Sequence, residues 1–243
     1  MTTPQLSVVI SALNEERTVA AVLARVLSVF DREKIEGEIV FVDDRGTDRT
    51  GALADEIAAK DARVRVLHRH PGAPGNLGSA LREGFRNSQG EYVVVLDCDL
   101  SHDPDDIPRL LAQRGAADIV VGSRFIAGGR AEMPRRRVLL SRAYNLFAKM
   151  VLGLAIADVT TGYKLYKRKM LDALDLESQG FGLQVEIVVK AHLKGYTAME
   201  VPIHYRRSDK KSTLVYRRQF ASYALPLLLG LKARLFRRRL LSD

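Results

Sequence analysis

Three observations predict an α/β fold, with a mostly parallel, doubly wound sheet and helices on both faces. Short β-branched apolar runs recur, stretches of helical periodicity separate them, and each early run ends in polar groups. Taken in order, the strand-like runs are Leu6–Leu13, Glu38–Asp44, Val64–Arg69, Tyr92–Asp99 and Asp118–Arg124. The helical stretches are Glu16–Phe30, Thr47–Lys60, Leu77–Ser88 and Asp105–Arg114. Past Arg124 the alternation breaks. Ile126–Met133 reads as a Gly-containing loop, Arg137–Leu154 as a long amphipathic helix, and Asp158–Lys167 as a turn plus an extended segment. Gln184–Lys194 reads as a further helix and Thr197–Tyr205 as a further strand, with no internal repeat.

The strand ends carry the chemistry. In open α/β sheets ligands bind outside the carboxyl ends of the strands. The first run passes into Asn14-Glu15-Glu16 and the second into Asp43-Asp44, where Asp43 is placed to accept hydrogen bonds from a ribose or base. Thr47 or Asp48 reads as the cap of the next helix. The third run is followed by a glycine-containing stretch, Pro71 to Ala80, which lacks dinucleotide spacing and reads as a tight loop against a ligand. The fourth run, the most apolar in the chain, closes on Asp97-Cys98-Asp99. Two carboxylates at i and i+2 repel each other, and a hard divalent cation, Mg²⁺ or Mn²⁺, relieves that repulsion while keeping positions open for phosphate oxygens. The competing reading is an acidic loop, and Asp103 before Pro104 is read as a helix cap.

Composition narrows the classes. A chain of 243 residues with 47% hydrophobic content is long enough for a substantial core. The single cysteine excludes a disulfide framework, there is no zinc-ligand spacing, and the N-terminus does not read as a signal peptide. The net charge of +9 is concentrated late, since residues 190–243 hold 13 Lys and Arg against three acidic residues. Such a tail suits an anionic surface, nucleic acid or membrane. Basic clusters around Leu225 to Leu231, and Leu235-Phe236 beside Arg237 to Arg239, favour the membrane interface, while the apolar run is far short of the ~20 residues a span requires. An ordinary C-terminal helix with a solvated basic face is the plainer alternative.

Assembled in this order, the motifs resemble glycosyltransferase family 2 of the GT-A fold, closest to the polyprenyl-phosphate (dolichyl-phosphate) mannose synthase branch. The stretches that carry the resemblance are Val8 to Glu16, Val42 to Thr50, Leu96 to Pro104, Gly122 to Phe125 with Gly128-Gly129, Asp158 to Tyr166, and Glu200 to Ile203. The resemblance implies an inverting hexosyltransferase that moves mannose from GDP-mannose to a polyprenyl phosphate of dolichyl or undecaprenyl type, on the cytoplasmic face of the membrane. It implies nucleotide-sugar contacts at Ser11, Leu13, Glu15, Asp43, Asp44 and Asp97, and a metal held by Asp97, Asp99 and Ser101. Asp99, Arg124 and Arg137 are the implied catalytic groups, with the acceptor phosphate bound by Arg124, Arg137, Arg206, Arg207 and Lys211. The implied organisation is a catalytic domain over 1–210, divided into a nucleotide-sugar half (1–125) and an acceptor half (126–210), followed by a basic amphipathic membrane-interface tail over 211–243.

The implied partners are the donor, the lipid phosphate, an anionic membrane surface and a membrane-anchoring protein, with nucleic acid excluded. A phosphate monoester is already ionised near neutral pH and needs orienting by arginine forks more than it needs a base. The five histidines, without ligand spacing, read as structural or surface groups. The chain departs from its relatives at Ser11, Leu13 and Gly46, and at Thr213 where relatives carry Lys. A soluble transferase of the same fold is the alternative, and a neutral hydroxyl acceptor would need Asp158 or Glu186 as base. A non-catalytic membrane- or nucleic-acid-binding module is the remote one, and it leaves the Asp97/Asp99 pair unexplained.

Overall fold

The computed structural model describes residues 4–70, 72–207, 222–224, 226–228 and 230–232. Its elements alternate from the start: β1 (Leu6–Ala12), α1 (Val19–Glu33), β2 (Gly37–Asp43), α2 (Thr50–Ala58), β3 (Val64–His68), α3 (Leu77–Asn87), β4 (Tyr92–Asp97), α4 (Ile107–Ala112) and β5 (Ile119–Ser123). There follow β6 (Arg130–Ala131), α5 (Arg135–Leu152), β7 (Lys164–Lys167), α6 (Arg168–Asp172), α7 (Gly182–Leu193), β8 (Ala198–Pro202) and β9 (His204–Tyr205). Among the described residues no helix is long and apolar enough to cross a membrane.

The large sheet has the order β3-β2-β1-β4-β7-β5-β8, and β6 pairs with β9 in a small second sheet. All strands of the large sheet run parallel except β7, which pairs antiparallel with β4 on one side and β5 on the other. Strand side chains alternate between two cores, as a pleat with helices on both faces requires. Leu6, Val8, Ile10, Val94 and Leu96 pack on the α1 side, whereas Val9, Val93 and Val95 pack on the other side with residues of α3 and α7. α1 contributes Val19, Val22, Leu23, Val26, Val29 and Phe30, the three-and-four spacing of one helical face. α3 lies so close that a Cβ on Gly84 would stand 2.4 Å from Val9 Cγ1, so only glycine fits there.

Strands β1, β2 and β4 each run out into a non-glycine residue with positive φ: Asn14 (57°), Arg45 (62°) and Leu100 (60°). Each such residue costs on the order of 1 kcal/mol, and left-handed turns of this sort gather where an edge is shaped for a ligand. The turn at Leu100 also explains why β4 stops at Asp97 rather than continuing to Asp99 as the sequence suggested.

Candidate active site

Register sets the site. Ser11 lies opposite Asp97 of β4, and Ala12 opposite Asp43 of β2, so the backbones that carry the two aspartates flank the end of β1 two strand spacings apart, about 10 Å. His68 closes β3 beside Asp43. The loop after β1 is tied to the loop after β2: Thr47 N–H donates to Asn14 Oδ1 (2.7 Å), Glu16 N–H to Asp48 (3.2 Å), and Glu15 N–H to Thr50 Oγ1 (2.7 Å). Glu15 is half-buried and Leu13 is exposed at the mouth. Asp43 Oδ1 accepts the Gly46 N–H at 3.2 Å. Asp44 behaves differently from Asp43. Both are buried, but Asp44 accepts a hydrogen bond from the buried Arg69, which also binds Glu83, Ser79 and the Pro74 carbonyl. Its visible work is to hold the strand end and the loop before α3 together.

At the end of β4, Asp97 lines a cleft together with His102, Arg124, Arg137, Ser141 and Tyr205. The surrounding protein, and then the neighbouring Asp99, push the Asp97 carboxyl up to about 7, with Arg137, Arg124 and Lys164 pulling it back. A path to solvent nevertheless reaches its side chain, which is 36% exposed. Its folded value lies above the ordinary 3.8, so ionising Asp97 costs stability as the pH rises from about 4 through 7. A divalent cation would remove that cost, and the donor set of hard oxygens fits Mg²⁺ or Mn²⁺. Among the described residues no third His, Cys, Asp or Glu completes a ligand cluster. That suits an ion whose remaining positions go to water and phosphate oxygens. Ser101 is fully buried; its N–H donates to Asp99 Oδ1 at 3.0 Å and its carbonyl accepts from Arg206 N, which fixes the turn.

Arg124 is held rigidly. Its Nε and Nη2 each reach Asp158 at 2.8 Å, its backbone N–H donates to the same carboxylate at 3.0 Å, and Nη2 also binds Thr160. Burial favours the neutral forms of both partners, but their mutual attraction outweighs it, raising Arg124 and lowering Asp158. Asp158 is itself aimed by Glu200 of β8, which accepts the N–H groups of Ala157 (2.8 Å) and Asp158 (3.0 Å). Removing Asp158 leaves a buried guanidinium uncompensated. Asp158→Ala is therefore expected to cost about 3–5 kcal/mol and to lower the calorimetric midpoint by about 10 °C.

Arg137, on the first turns of α5, has no carboxylate within ion-pair distance among the described residues. Aromatic rings hold the arginines in series: Arg142 over Phe125 (5.4 Å), Arg124 over Phe125 (5.0 Å), Arg124 over Tyr205 (5.6 Å), and Arg137 over Tyr205 (6.0 Å). Each such contact contributes about 0.5–2 kcal/mol and fixes direction without neutralising charge. Arg206 is committed to Asp103 at 2.8 Å, and Asp103 caps the turn that follows it, as its place before Pro104 suggested. Arg207 is exposed, and Lys211, Thr213 and most of the 211–243 tail lie outside the described residues.

Two groups the sequence passed over bear on this cleft: His102 lines it, and Lys164 bonds the carbonyl of Gln184, which does. His102, read as structural, has its Nδ1 3.4 Å from Asp97 Oδ2, stacks on Tyr163 (4.9 Å) and meets the Tyr205 edge (5.3 Å). Burial holds it neutral, well below its ordinary value. Lys164 is fully buried, and its ammonium donates to the carbonyls of Val159, Thr161 and Gln184; burial pushes it down to about 7. Neither carried a spacing signal. Conversely, the two carboxylates offered as a base for a hydroxyl acceptor are both spent. Asp158 serves Arg124, and Glu186 is 2% exposed, paired with Lys190 (2.7 Å) and accepting the Glu177 and Ser178 N–H groups.

Comparison with known proteins gives the family and the fold. Residues 7–175 match the family Glycosyl transferase family 2. The chain is 37% identical over 216 residues to the Polyprenol monophosphomannose synthase of Mycolicibacterium smegmatis, covering 85% of this chain and 79% of that protein. It is 39% identical over 177 residues to the Undecaprenyl-phosphate mannosyltransferase of Micrococcus luteus, covering 70% and 72%. Among solved structures, glucosyl-3-phosphoglycerate synthase from Mycobacterium tuberculosis, in complex with Mn²⁺, UDP and glucosyl-3-phosphoglycerate, superposes with a TM-score of 0.74 at 22% identity, over 94% of this chain and 80% of that one. The same enzyme with Mg²⁺ and UDP gives 0.69 at 20% identity, over 92% and 79%.

Proposed function

The chain belongs to glycosyl transferase family 2 and is a hexosyltransferase of GT-A fold; from that premise we propose that it transfers mannose from GDP-mannose to a polyprenyl phosphate at the cytoplasmic face of a membrane. The observation that carries this reading is the meeting of Asp97 with Arg124 and Arg137 in one cleft: a carboxylate for a metal-bound diphosphate faces cations for an acceptor phosphate. The names of the two mannosyltransferase relatives support the sugar and the lipid. The spent carboxylates Asp158 and Glu186 support an acceptor that arrives already ionised, with no proton to remove.

In this reading Asp43 and Glu15 bind the nucleoside, and Asp97 and Asp99 hold a divalent cation. Such an ion would take up the negative charge that develops on the leaving diphosphate. Arg137 grips the acceptor phosphate, steered by Tyr205, while Arg124 presents a fixed positive field from behind its clamp with Asp158. A phosphate oxygen attacks the anomeric carbon from the face opposite the diphosphate, the bond from that carbon to the diphosphate breaks, and GDP departs.

Support for the membrane face comes from α5. Its buried positions are Ser141, Asn145, Ala148 and Leu152, yet its opposite face exposes Leu139, Leu146, Phe147 and Met150 by 53–69%. The helix has no acidic residue and carries Arg135, Arg136, Arg137, Arg142 and Lys149. An apolar outer face edged by cations suits an anionic lipid surface. A membrane-anchoring partner protein would strengthen the same attachment. The triple substitution Leu139→Gln, Phe147→Gln, Met150→Gln is expected to weaken co-sedimentation with phosphatidylglycerol vesicles at least about tenfold, with the soluble fold unchanged by circular dichroism.

The deciding experiment offers radiolabelled GDP-mannose, UDP-glucose and UDP-GlcNAc with undecaprenyl phosphate and Mg²⁺ or Mn²⁺, and follows label into butanol. Mannose label in the lipid phase supports the proposal. Label from another donor corrects the sugar, and transfer only to a water-soluble acceptor overturns the lipid.

A further inference from the structure

His68 stands between two carboxylates. Its Nδ1 is 3.2 Å from Asp43 Oδ2, and its Nε2 is 3.1 Å from both oxygens of Asp55 on α2. A neutral imidazole has one N–H and one lone pair, whereas both neighbours are acceptors. The two contacts are favourable together only when both ring nitrogens carry protons. The fold leaves space for this arrangement: a Cβ on Gly51 would stand 2.5 Å from Asp43 Oδ2 and 3.0 Å from His68 Cε1. With Gly46 N–H on one oxygen of Asp43 and His68 on the other, the carboxylate is gripped from both sides. The charged groups facing the ring are Asp43 from β2 and Asp55 from α2. Among the described residues no Lys or Arg pairs with either.

We infer that His68 is a positioning residue for the nucleotide-binding carboxylate Asp43, and that the His68 proton makes donor affinity depend on pH. The inference rests on the reading of Asp43 as a nucleoside contact. Partial burial lowers the His68 value, but hydrogen bonds to Asp55 and Asp43 outweigh it, so the imidazolium persists above the ordinary 6.5. As pH rises through that raised value the bridge loses a proton. One carboxylate then loses the imidazole as donor, and when the remaining proton sits on Nε2, Asp43 is held by the Gly46 N–H alone.

The test is GDP-mannose binding to the full chain in Mg²⁺, measured by calorimetry between about pH 6 and 8.5, for wild type and His68→Gln. His68 is half exposed, and glutamine keeps a donor while losing the ability to ionise. Taking the ratio of the two affinities removes every titration the proteins share, that of Asp97 included. The ratio is expected to favour wild type about three- to tenfold at the low end and to approach one at the high end. Asp55→Asn, which removes the outer carboxylate, is expected to move the wild-type break to lower pH. A ratio independent of pH, or a break that Asp55→Asn does not move, overturns the inference. Asp43→Asn separates the two levels. Unchanged donor affinity in that variant sinks the nucleoside reading itself, whereas weakened affinity with a flat His68 ratio sinks only the role given to His68.

Discussion

Asp99→Ala is expected to reduce sugar transfer by at least about 10³-fold and to abolish the metal dependence of donor binding, with the thermal midpoint little changed. Asp99 is half-buried and among the described residues its Oδ1 accepts the nearby Ser101 N–H, so the fold does not hang on it. Its effect on Asp97 is larger. The like charge of Asp99 is the second cause, after withdrawal from water, of the raised Asp97 value. Deleting Asp99 is expected to lower that value and, on the proposed metal role, to weaken cation binding. Calorimetric titration of Mn²⁺ and of GDP-mannose, beside a transfer assay with and without chelator, reads each part. Transfer that survives the substitution, or full turnover in excess chelator, would remove the metal from the mechanism.

Arg137→Ala is expected to lower transfer about 10²-fold while leaving donor affinity within about twofold. That matches one charge-assisted contact of about 1.5–3 kcal/mol lost from the acceptor side. The geometry predicts the asymmetry. Arg124 already gives two of its nitrogens to Asp158, whereas Arg137 lies over the Tyr205 ring with no carboxylate in ion-pair distance among the described residues. A lysine at 137 is expected to recover part of the loss as a point charge without the planar fork. Equal losses of donor affinity and transfer would count against the acceptor role.

Much of this was legible in the sequence because parallel strands buried on both faces read as continuous apolar runs. Tyr92 to Leu96 could hardly be anything else, and Asp97 at its end followed directly. Strand and helix ends were less legible. The turn residues Asn14, Arg45 and Leu100 carry no glycine to announce a left-handed backbone, so β1, β2 and β4 were carried one or two residues past their ends, and β3 was also drawn one residue too far. The five-residue helix α6 was missed, being too short to show a period. β7 was read only as an extended segment, because four residues, Lys-Leu-Tyr-Lys, state neither direction nor partner. His102 illustrates a different limit. What makes it a cleft residue is its stacking against Tyr163 and Tyr205, both remote in sequence, and no spacing rule reports that. Asp43 and Asp44 look equivalent as adjacent letters. Only the buried Arg69 distinguishes Asp44, which it ties to the loop before α3, from Asp43, which Gly46 and His68 hold.

The antiparallel strand β7 governs how the chain comes into being. β4 and β5 do not touch each other; each pairs with β7, which is made much later. During synthesis the wait is on the order of several seconds. Through that interval Tyr-Val-Val-Val-Leu, a segment of high strand propensity without charge, has one open edge onto which another nascent chain could add. Inserting β7 closes two edges at once, so the middle of the sheet forms in a single late, long-range step. Refolding of this protein should be slow for its size, sensitive to concentration, and relieved by chaperones that shield strand edges.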